Sequence, residues 1–347
     1  MPQGLHPDAV LYAGGKRFPE LAACEHFAGS EKLIRKALAL QADLARNGVS
    51  VFDVTADCED GAAAGTEAEH AAMVGDLIAS TENRYARVGA RIHDVRHPHW
   101  QDDLTAILSR CAAHVAYIVL PKAESAADVA VQLDALHQAT KRYAPGRTIP
   151  AHVLIETPGA LREVFAIAQL PGIESLDFGL MDFVSAHHGA IPASAMKSPG
   201  QFTHPLIVRA KCDIALAALG SGVVPSHNVC TELRDTRAIY ADARRARDEF
   251  GYLRMWSIHP AQIEPIVEAM QPEGDEIQEA CDILTAAQQA DWGPTRQRDT
   301  LHDRASYRYY WQLVCRARAT GIELPHDTQQ RFFPDPKHST AKGNQHA

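Results

Sequence analysis

AHVLIETPGALREVFAIAQLPGIESLDFGLMDF, residues 151–183, reads as one strand–helix–strand unit. Residues 151–156 and 175–181 are short apolar runs of strand length, and 159–169 between them is patterned as a helix. Each strand runs out into an acid, Glu156 and Asp182, 26 residues apart. In a parallel sheet that spacing sets consecutive strand ends side by side at one rim. Two carboxylates converging there have a simple use: holding a hard divalent cation such as Mg²⁺, which then binds an oxygen-rich substrate.

The same alternation extends outward along the chain. Strand candidates fall at 9–13, 50–56, 86–92, 115–120, 222–227 and 253–258, besides the two above. Helical patterns occupy 31–47, 66–80, 100–113, 124–140, 204–219, 232–250 and 260–270. Ser30, Ser125 and Thr231 stand as candidate caps, and His259 followed by Pro260 caps the last helix. Eight strands each followed by a helix is the count of an α/β (β/α)8 TIM barrel, with an open doubly wound sheet as the alternative. Residues 275–321 predict two additional C-terminal helices. The expected organisation is a barrel over 1–272, a helical extension over 273–335 and a disordered polar tail over 336–347.

Composition narrows the class. The 347 residues are 46% hydrophobic, enough for a large core, and the formal net charge is −9 without a basic stripe. Nucleic acid is therefore not an expected partner. Seven scattered cysteines without a CxxC read as reduced thiols. No apolar run approaches 18 residues and MPQGLHPD is not a leader, so a cytoplasmic protein that does not span a membrane is expected.

Barrel enzymes carry their chemistry at the C-terminal ends of the strands. The predicted ends supply Asp57, Glu59 and Asp60 after the second strand, Arg91 and His93 after the third, and Lys122 after the fourth. Glu156, Thr157 and Gly159 follow the fifth, Asp182 the sixth, His227 the seventh and His259 the eighth. Taken singly, Glu156 or Asp182 could be a helix cap or an ion-pair partner. Arg91 could neutralise the acids of the preceding strand, although its planar fork also suits a substrate carboxylate. Lys122 could be a solvated strand-end lysine. His93, His97, His99, His187 and His188 read as surface or loop histidines, since no HExxH or HxH on a strand supports a transition-metal site.

These residues fall into six ordered motifs: DCEDGA (57–62), RIHDVRHPHWQDDL (91–104), LPKAES (120–125), IETPG (155–159), FGLMDF (178–183) and SIHPAQI (257–263). In this the chain resembles the HpcH/HpaI aldolase and citrate lyase β-subunit family, which includes malyl-CoA lyases, over roughly residues 30–270. The resemblance implies that Glu156 and Asp182 ligate Mg²⁺, with Mn²⁺ able to substitute. It implies that Arg91 binds the carboxylate of a keto or hydroxy acid, and that Glu59 and Asp60 hold metal-bound waters. Lys122, Thr157 and Gly159 are the further candidates for substrate contact, and a homo-oligomer, trimer or hexamer, is implied. Two departures stand out: the family's arginine–asparagine pair reads Arg91…His93, and an N-terminal Arg-Ser segment is replaced by LYAGGKRFPE.

The activity expected is a metal-assisted carbon–carbon lyase acting on a carboxylated 3-hydroxyacyl-CoA of the malyl-CoA or citryl-CoA kind. The alternatives are a class II aldolase joining pyruvate to an aldehyde without CoA, a non-catalytic or regulatory paralogue, and, more distantly, a phosphoryl-transfer barrel. The general acid or base is left open among Asp57, a metal-bound hydroxide and an acid from another subunit.

Overall fold

The computed structural model describes residues 5–12 and 18–334. They form two compact units, one spanning Leu21–Met270 and the other joining the segment up to Glu20 to the chain from Gln271 onward.

The larger unit is a closed barrel of eight parallel strands: β1 (Cys24–Ala28), β2 (Phe52–Asp57), β3 (Val88–Arg91), β4 (Ile118–Leu120), β5 (Ala151–Ile155), β6 (Ile173–Phe178), β7 (Val224–His227) and β8 (Arg254–Ser257). Each strand pairs with the next, and β8 closes on β1 with Cys24 opposite Met255. Helices follow every strand, as the sequence predicts, with two adjustments. The helix after β5 breaks at Glu163 into Pro158–Arg162 and Val164–Ala168. The helix after β7 begins at Thr236, capped by Asp235 rather than by Thr231. Ser30 and Ser125 cap as expected, accepting from the Leu33 and Asp128 N–H groups, and His259 caps the turn Pro260–Gln262.

One strand assignment is corrected. Residues 9–13 are not the first strand: Pro7–Leu11 is a short helix whose start is capped by the His6 side chain, and residue 13 lies outside the described residues. The first strand is CEHFA, 24–28, disguised by Glu25 and His26 yet buried along its whole length.

Strand alternation sorts the side chains of the barrel. In β2, Phe52, Val54 and Ala56 pack into the layer between strands and helices, while Asp53, Thr55 and Asp57 take the opposite, lumenal face. The outer layer (Ile34, Val88, Ile107, Val129, Val153 and Ile214 among others) is fully buried, each such side chain contributing roughly 1.5–3 kcal/mol. The lumen holds a separate apolar cluster that includes Phe27, Tyr117, Leu154 and Trp256, with Phe27 and Trp256 stacked at 4.7 Å.

In the smaller unit the two predicted helices are Gly274–Gln289 and Arg304–Ala319, separated by an antiparallel hairpin (Thr295–Gln297 with Thr300–His302). Their core includes Ile277, Leu284, Trp292, Tyr307, Trp311 and Leu11. The N-terminal helix is tied in by Trp311 Nε1 donating to Asp8 Oδ1 at 2.8 Å. A further helix covers His326–Phe332. The proposed tail over 336–347 lies outside the described residues.

Candidate active site at the C-terminal rim of the barrel

The ends of β2 to β6 deliver a continuous charged network. Asp57 closes β2, and its carboxylate accepts from the Glu59 and Gly61 N–H groups at 3.0 and 2.8 Å, fixing the turn that follows. Arg91, the last residue of β3, donates to both Asp57 oxygens, from Nε at 2.7 Å and Nη2 at 2.5 Å, while Nη1 lies 3.0 Å from Glu59 Oε2. Its guanidinium also sits 5.4 Å from the centre of the Phe27 ring, the roof of the lumenal apolar cluster. Arg91 thus makes the contact with the acids of the preceding strand that the sequence left as one alternative.

Lys122, after β4, is bent into the left-handed region at φ 50°. That conformation lets its two ends serve two groups. The backbone N–H donates to Glu156 Oε1 at 2.7 Å, and Nζ bridges the Glu59 carboxylate and both Asp60 oxygens, the latter at 2.8 Å. Lys122 is an orienting group for the acids rather than a solvated side chain.

Glu156 sits one residue beyond β5, almost fully buried. Burial raises its pKa, and the neighbouring Asp182 carboxylate raises it further, to about 8, against the pull of Arg91. Asp182 lies in the first turn of the helix Leu180–Ser185 that follows β6, and its carboxylate has no hydrogen bond or ion pair among the described residues. Gly179 makes the close approach of this turn possible: a Cβ there would stand 2.3 Å from Glu156 Oε2. The donor set is two carboxylates, one buried and oriented, the other unpartnered, repelling each other at one rim; it fits a hard divalent cation.

The remaining acids are perturbed in opposite senses. Burial raises Asp57, but the Arg91 contacts outweigh it and leave the carboxyl below its usual range. Burial raises Glu59 too, and there it prevails over Arg91 and Lys122. Thr157 spends its hydroxyl inside the protein, donating to Ala123 O at 2.6 Å and accepting from Ala160 N at 2.9 Å as a helix cap. Gly159 lies in the same helix start, where a Cβ would meet Glu124 O at 2.3 Å.

A cleft of ≈ 410 Å³ opens beside the network, lined by Glu59, Asp60, Lys122, His70, His93 and His97 among others. Here a reading from sequence is corrected: His93 is not a surface histidine. It is buried, its Nδ1 bonded to Asp103 Oδ2 at 2.6 Å and its ring stacked on His97 at 3.9 Å. The pairing partner ten residues on, in the helix Trp100–Cys111, was the missed signal.

Sequence reasoning also missed a polar layer inside the lumen, built by Glu25, Asp53, His152, Asp177 and Arg254, all fully buried. Arg254 Nη2 stands 2.8 Å from Asp53 Oδ2 and 3.2 Å from Glu25 Oε2. Burial opposes a charge on His152, yet Glu174 and Glu25 raise its pKa to about 9. Tyr117 stacks on His152 at 3.9 Å and bonds Thr55 at 2.8 Å, placing the apolar cluster between this layer and the rim.

Known proteins are similar to this chain. A crystal structure of a citrate lyase from Burkholderia xenovorans LB400 is 53% identical, with a TM-score of 0.81, and covers 94% of this chain and 100% of its own. The L-malyl-CoA/β-methylmalyl-CoA lyase of Cereibacter sphaeroides is 28% identical over 279 residues, 76% of this chain and 86% of that protein. The CitE protein of Mycobacterium tuberculosis, solved with magnesium, acetoacetate and coenzyme A, shares the fold at 22% identity and a TM-score of 0.62, covering 86% of this chain and 98% of its own. The HpcH/HpaI aldolase/citrate lyase family profile matches residues 35–260, which contain the whole rim network, and the chain belongs to that family of carbon–carbon lyases.

Proposed function

We propose that this chain is a divalent-metal-dependent lyase that cleaves or forms the carbon–carbon bond of a carboxylated 3-hydroxyacyl-CoA, of the malyl-CoA or citryl-CoA kind, releasing or consuming a keto acid. The observation that carries the reading is the pair Glu156 and Asp182. One carboxylate is buried and aimed by the Lys122 N–H, and the other is left without a hydrogen bond or ion pair among the described residues. Glu156 and Asp182 would hold Mg²⁺, or Mn²⁺ in its place. Bound there, the ion supplies Lewis-acid stabilisation of the oxyanion that develops as the bond breaks.

The chain's own residues do the positioning. Arg91 is the group offered to a substrate carboxylate, and Asp57 holds its guanidinium in plane through two hydrogen bonds. With both oxygens engaged and its pKa lowered, Asp57 serves better as that anchor than as the proton-transferring base. Lys122 orients Glu156 through its backbone and Glu59 and Asp60 through its ammonium. The cleft beside Glu59 and Lys122 leaves room for the part of the substrate beyond the scissile bond.

Two measurements test the reading. Mn²⁺ titration followed by electron paramagnetic resonance should show one exchangeable ion per chain, lost in Glu156→Gln and Asp182→Asn. A divalent-dependent cleavage assay should favour CoA thioesters over free 4-hydroxy-2-keto acids. Cleavage of the free acids alone would replace the CoA reading with the pyruvate aldolase one.

A further inference from the structure

The lumenal layer contains three polar atoms that converge without hydrogen-bond partners among the described residues: Glu25 Oε2, His152 Nδ1 and Asp177 Oδ2. They come from β1, β5 and β6, lie within 4.8 Å of one another, and belong to side chains that are fully buried. We propose that these three atoms form a second metal site, internal to the barrel and separate from the rim, which takes a divalent transition ion of the Zn²⁺ type.

Glu25 Oε2 keeps an ion-pair contact with Arg254 Nη2 at 3.2 Å, and all three atoms belong to side chains whose other polar atom is anchored. Glu25 Oε1 accepts from the Thr55 hydroxyl at 2.7 Å, and Asp177 Oδ1 accepts from the Ser175 hydroxyl at 2.5 Å. His152 Nε2 faces Glu174 Oε2 at 3.4 Å. A histidine whose far nitrogen donates to a carboxylate presents its other nitrogen as a lone pair, the arrangement that fixes a metal-ligating imidazole. Every donor is therefore oriented from behind before any ion arrives.

The separations also favour an ion over direct contact. His152 Nδ1 stands 3.7 Å from Glu25 Oε2 and 4.0 Å from Asp177 Oδ2, too far for hydrogen bonds. Two donors sharing a tetrahedral ion at about 2.1 Å stand roughly 3.4 Å apart. Inward shifts of a few tenths of an ångström close both gaps from the His152 nitrogen. Two carboxylate oxygens and one imidazole nitrogen make a donor set of intermediate softness, which suits Zn²⁺ or Mn²⁺ better than Mg²⁺.

Charge points the same way. Three buried carboxylates, Glu25, Asp53 and Asp177, share one buried guanidinium, Arg254. At the edge of the layer the partly exposed Arg87, 3.7 Å from Asp53, balances the partly exposed Glu174. With His152 protonated the layer is one negative charge in excess, and two once an incoming ion displaces that proton; unpaired buried charge is strongly unfavourable. One divalent cation removes the excess. The apolar cluster between this layer and the rim argues that the ion is acquired as the barrel closes and does not exchange afterwards.

The test is the metal content of the full-length protein. After exhaustive EDTA dialysis, the wild type and the Glu156→Gln variant should each retain one equivalent of metal per chain, with anomalous diffraction placing it between Glu25, His152 and Asp177. Refolding with Zn²⁺ should raise the Tm by at least 5 °C over refolding with EDTA. Asp177→Asn, which keeps the side-chain volume, should lose the retained metal while the exchangeable rim site still titrates with Mn²⁺. Should Asp177→Asn not fold, the wild-type diffraction decides. A metal-free folded protein with equal Tm in both refolding arms overturns the proposal, as does anomalous-silent density at the position, which would be a water. Loss of the rim site alone would instead count against the lyase reading.

Discussion

Replacing Gly179 by alanine should disable the proposed rim metal site without replacing either ligand. The Cβ would stand 2.3 Å from Glu156 Oε2 and 2.4 Å from Glu156 Cβ. Non-bonded carbons settle at roughly 3.5–4.0 Å, so the second contact is short by more than ~1 Å. Rotating the Glu156 side chain relieves the oxygen contact but not the Cβ contact, which is fixed by the backbone; β5 and β6 must part at their ends. Gly179 has φ −89° and ψ 77°, within reach of alanine, so the cost arises from contact and not from backbone strain. Overpacking of this kind costs about 1–3 kcal/mol of stability. A displacement of ~1 Å at a functional group is worth about 100-fold, or about 2.7 kcal/mol of binding. Mn²⁺ affinity measured by electron paramagnetic resonance should fall by that order. Gly220→Ala, where a Cβ meets nothing within 4 Å, should leave it unchanged. A folded Gly179→Ala protein that binds Mn²⁺ within twofold of wild type would refute the steric argument.

Arg91→Lys replaces a two-point grip on Asp57 with a single point charge, and should lower kcat/KM by about 100-fold and stability by about 1.5–3 kcal/mol, read from urea unfolding; an unchanged midpoint would contradict the anchoring role. Thr157→Val removes a cap and a buried hydrogen bond and should cost about 1–2 kcal/mol while leaving KM unaltered. A tenfold rise in KM at unchanged stability would show instead that the hydroxyl works on substrate. His26 predicts a pH effect. Burial, aided by His259, lowers its pKa from 6.5 to about 4, so the unfolded chain binds the proton more readily. Its stabilising contribution is complete above pH 6.5 and is lost as pH falls toward 4, by about 3 kcal/mol in all. His26→Gln should flatten the stability profile across that window, and an unchanged slope would refute the assignment.

The rim was legible because its groups sit at strand ends, next in sequence to the apolar runs that predict the strands. Asp57, Arg91, Lys122, Glu156 and Asp182 could be placed at one end of a parallel sheet before any contact was known. How they divide their bonds was not legible, since it depends on side-chain reach: the left-handed turn at Lys122 that bonds Glu156 leaves no local signal. The first strand escaped for a different reason. AVLYA has strand composition, but His6 and Pro7 start a helix there. CEHFA carries an acid and a histidine that a surface strand would expose, and only closure of the barrel shows that both are buried. The lumenal layer was hidden for the same cause, since Arg254 and Asp53 are 201 residues apart in sequence and meet only when β8 returns to β1.

The electrostatic state of the rim constrains the order of events in the proposed reaction. Five carboxylates, Asp57, Glu59, Asp60, Glu156 and Asp182, gather around two cations, Arg91 and Lys122. Both cations are engaged with acids of the chain itself, Arg91 with Asp57 and Glu59, Lys122 with Glu59 and Asp60. With every group ionised, the rim is three negative charges in excess; burial raises the pKa of both Glu156 and Glu59, and for Glu156 the Asp182 carboxylate raises it further. An anionic keto acid approaching that surface alone is repelled. A divalent cation held by Glu156 and Asp182 would displace the proton from Glu156, cut the excess and offer a substrate carboxylate a local positive charge. Cation before substrate is therefore the order that the side-chain pairing would favour in the proposed reaction, with the guanidinium of Arg91 held by Asp57 and Glu59.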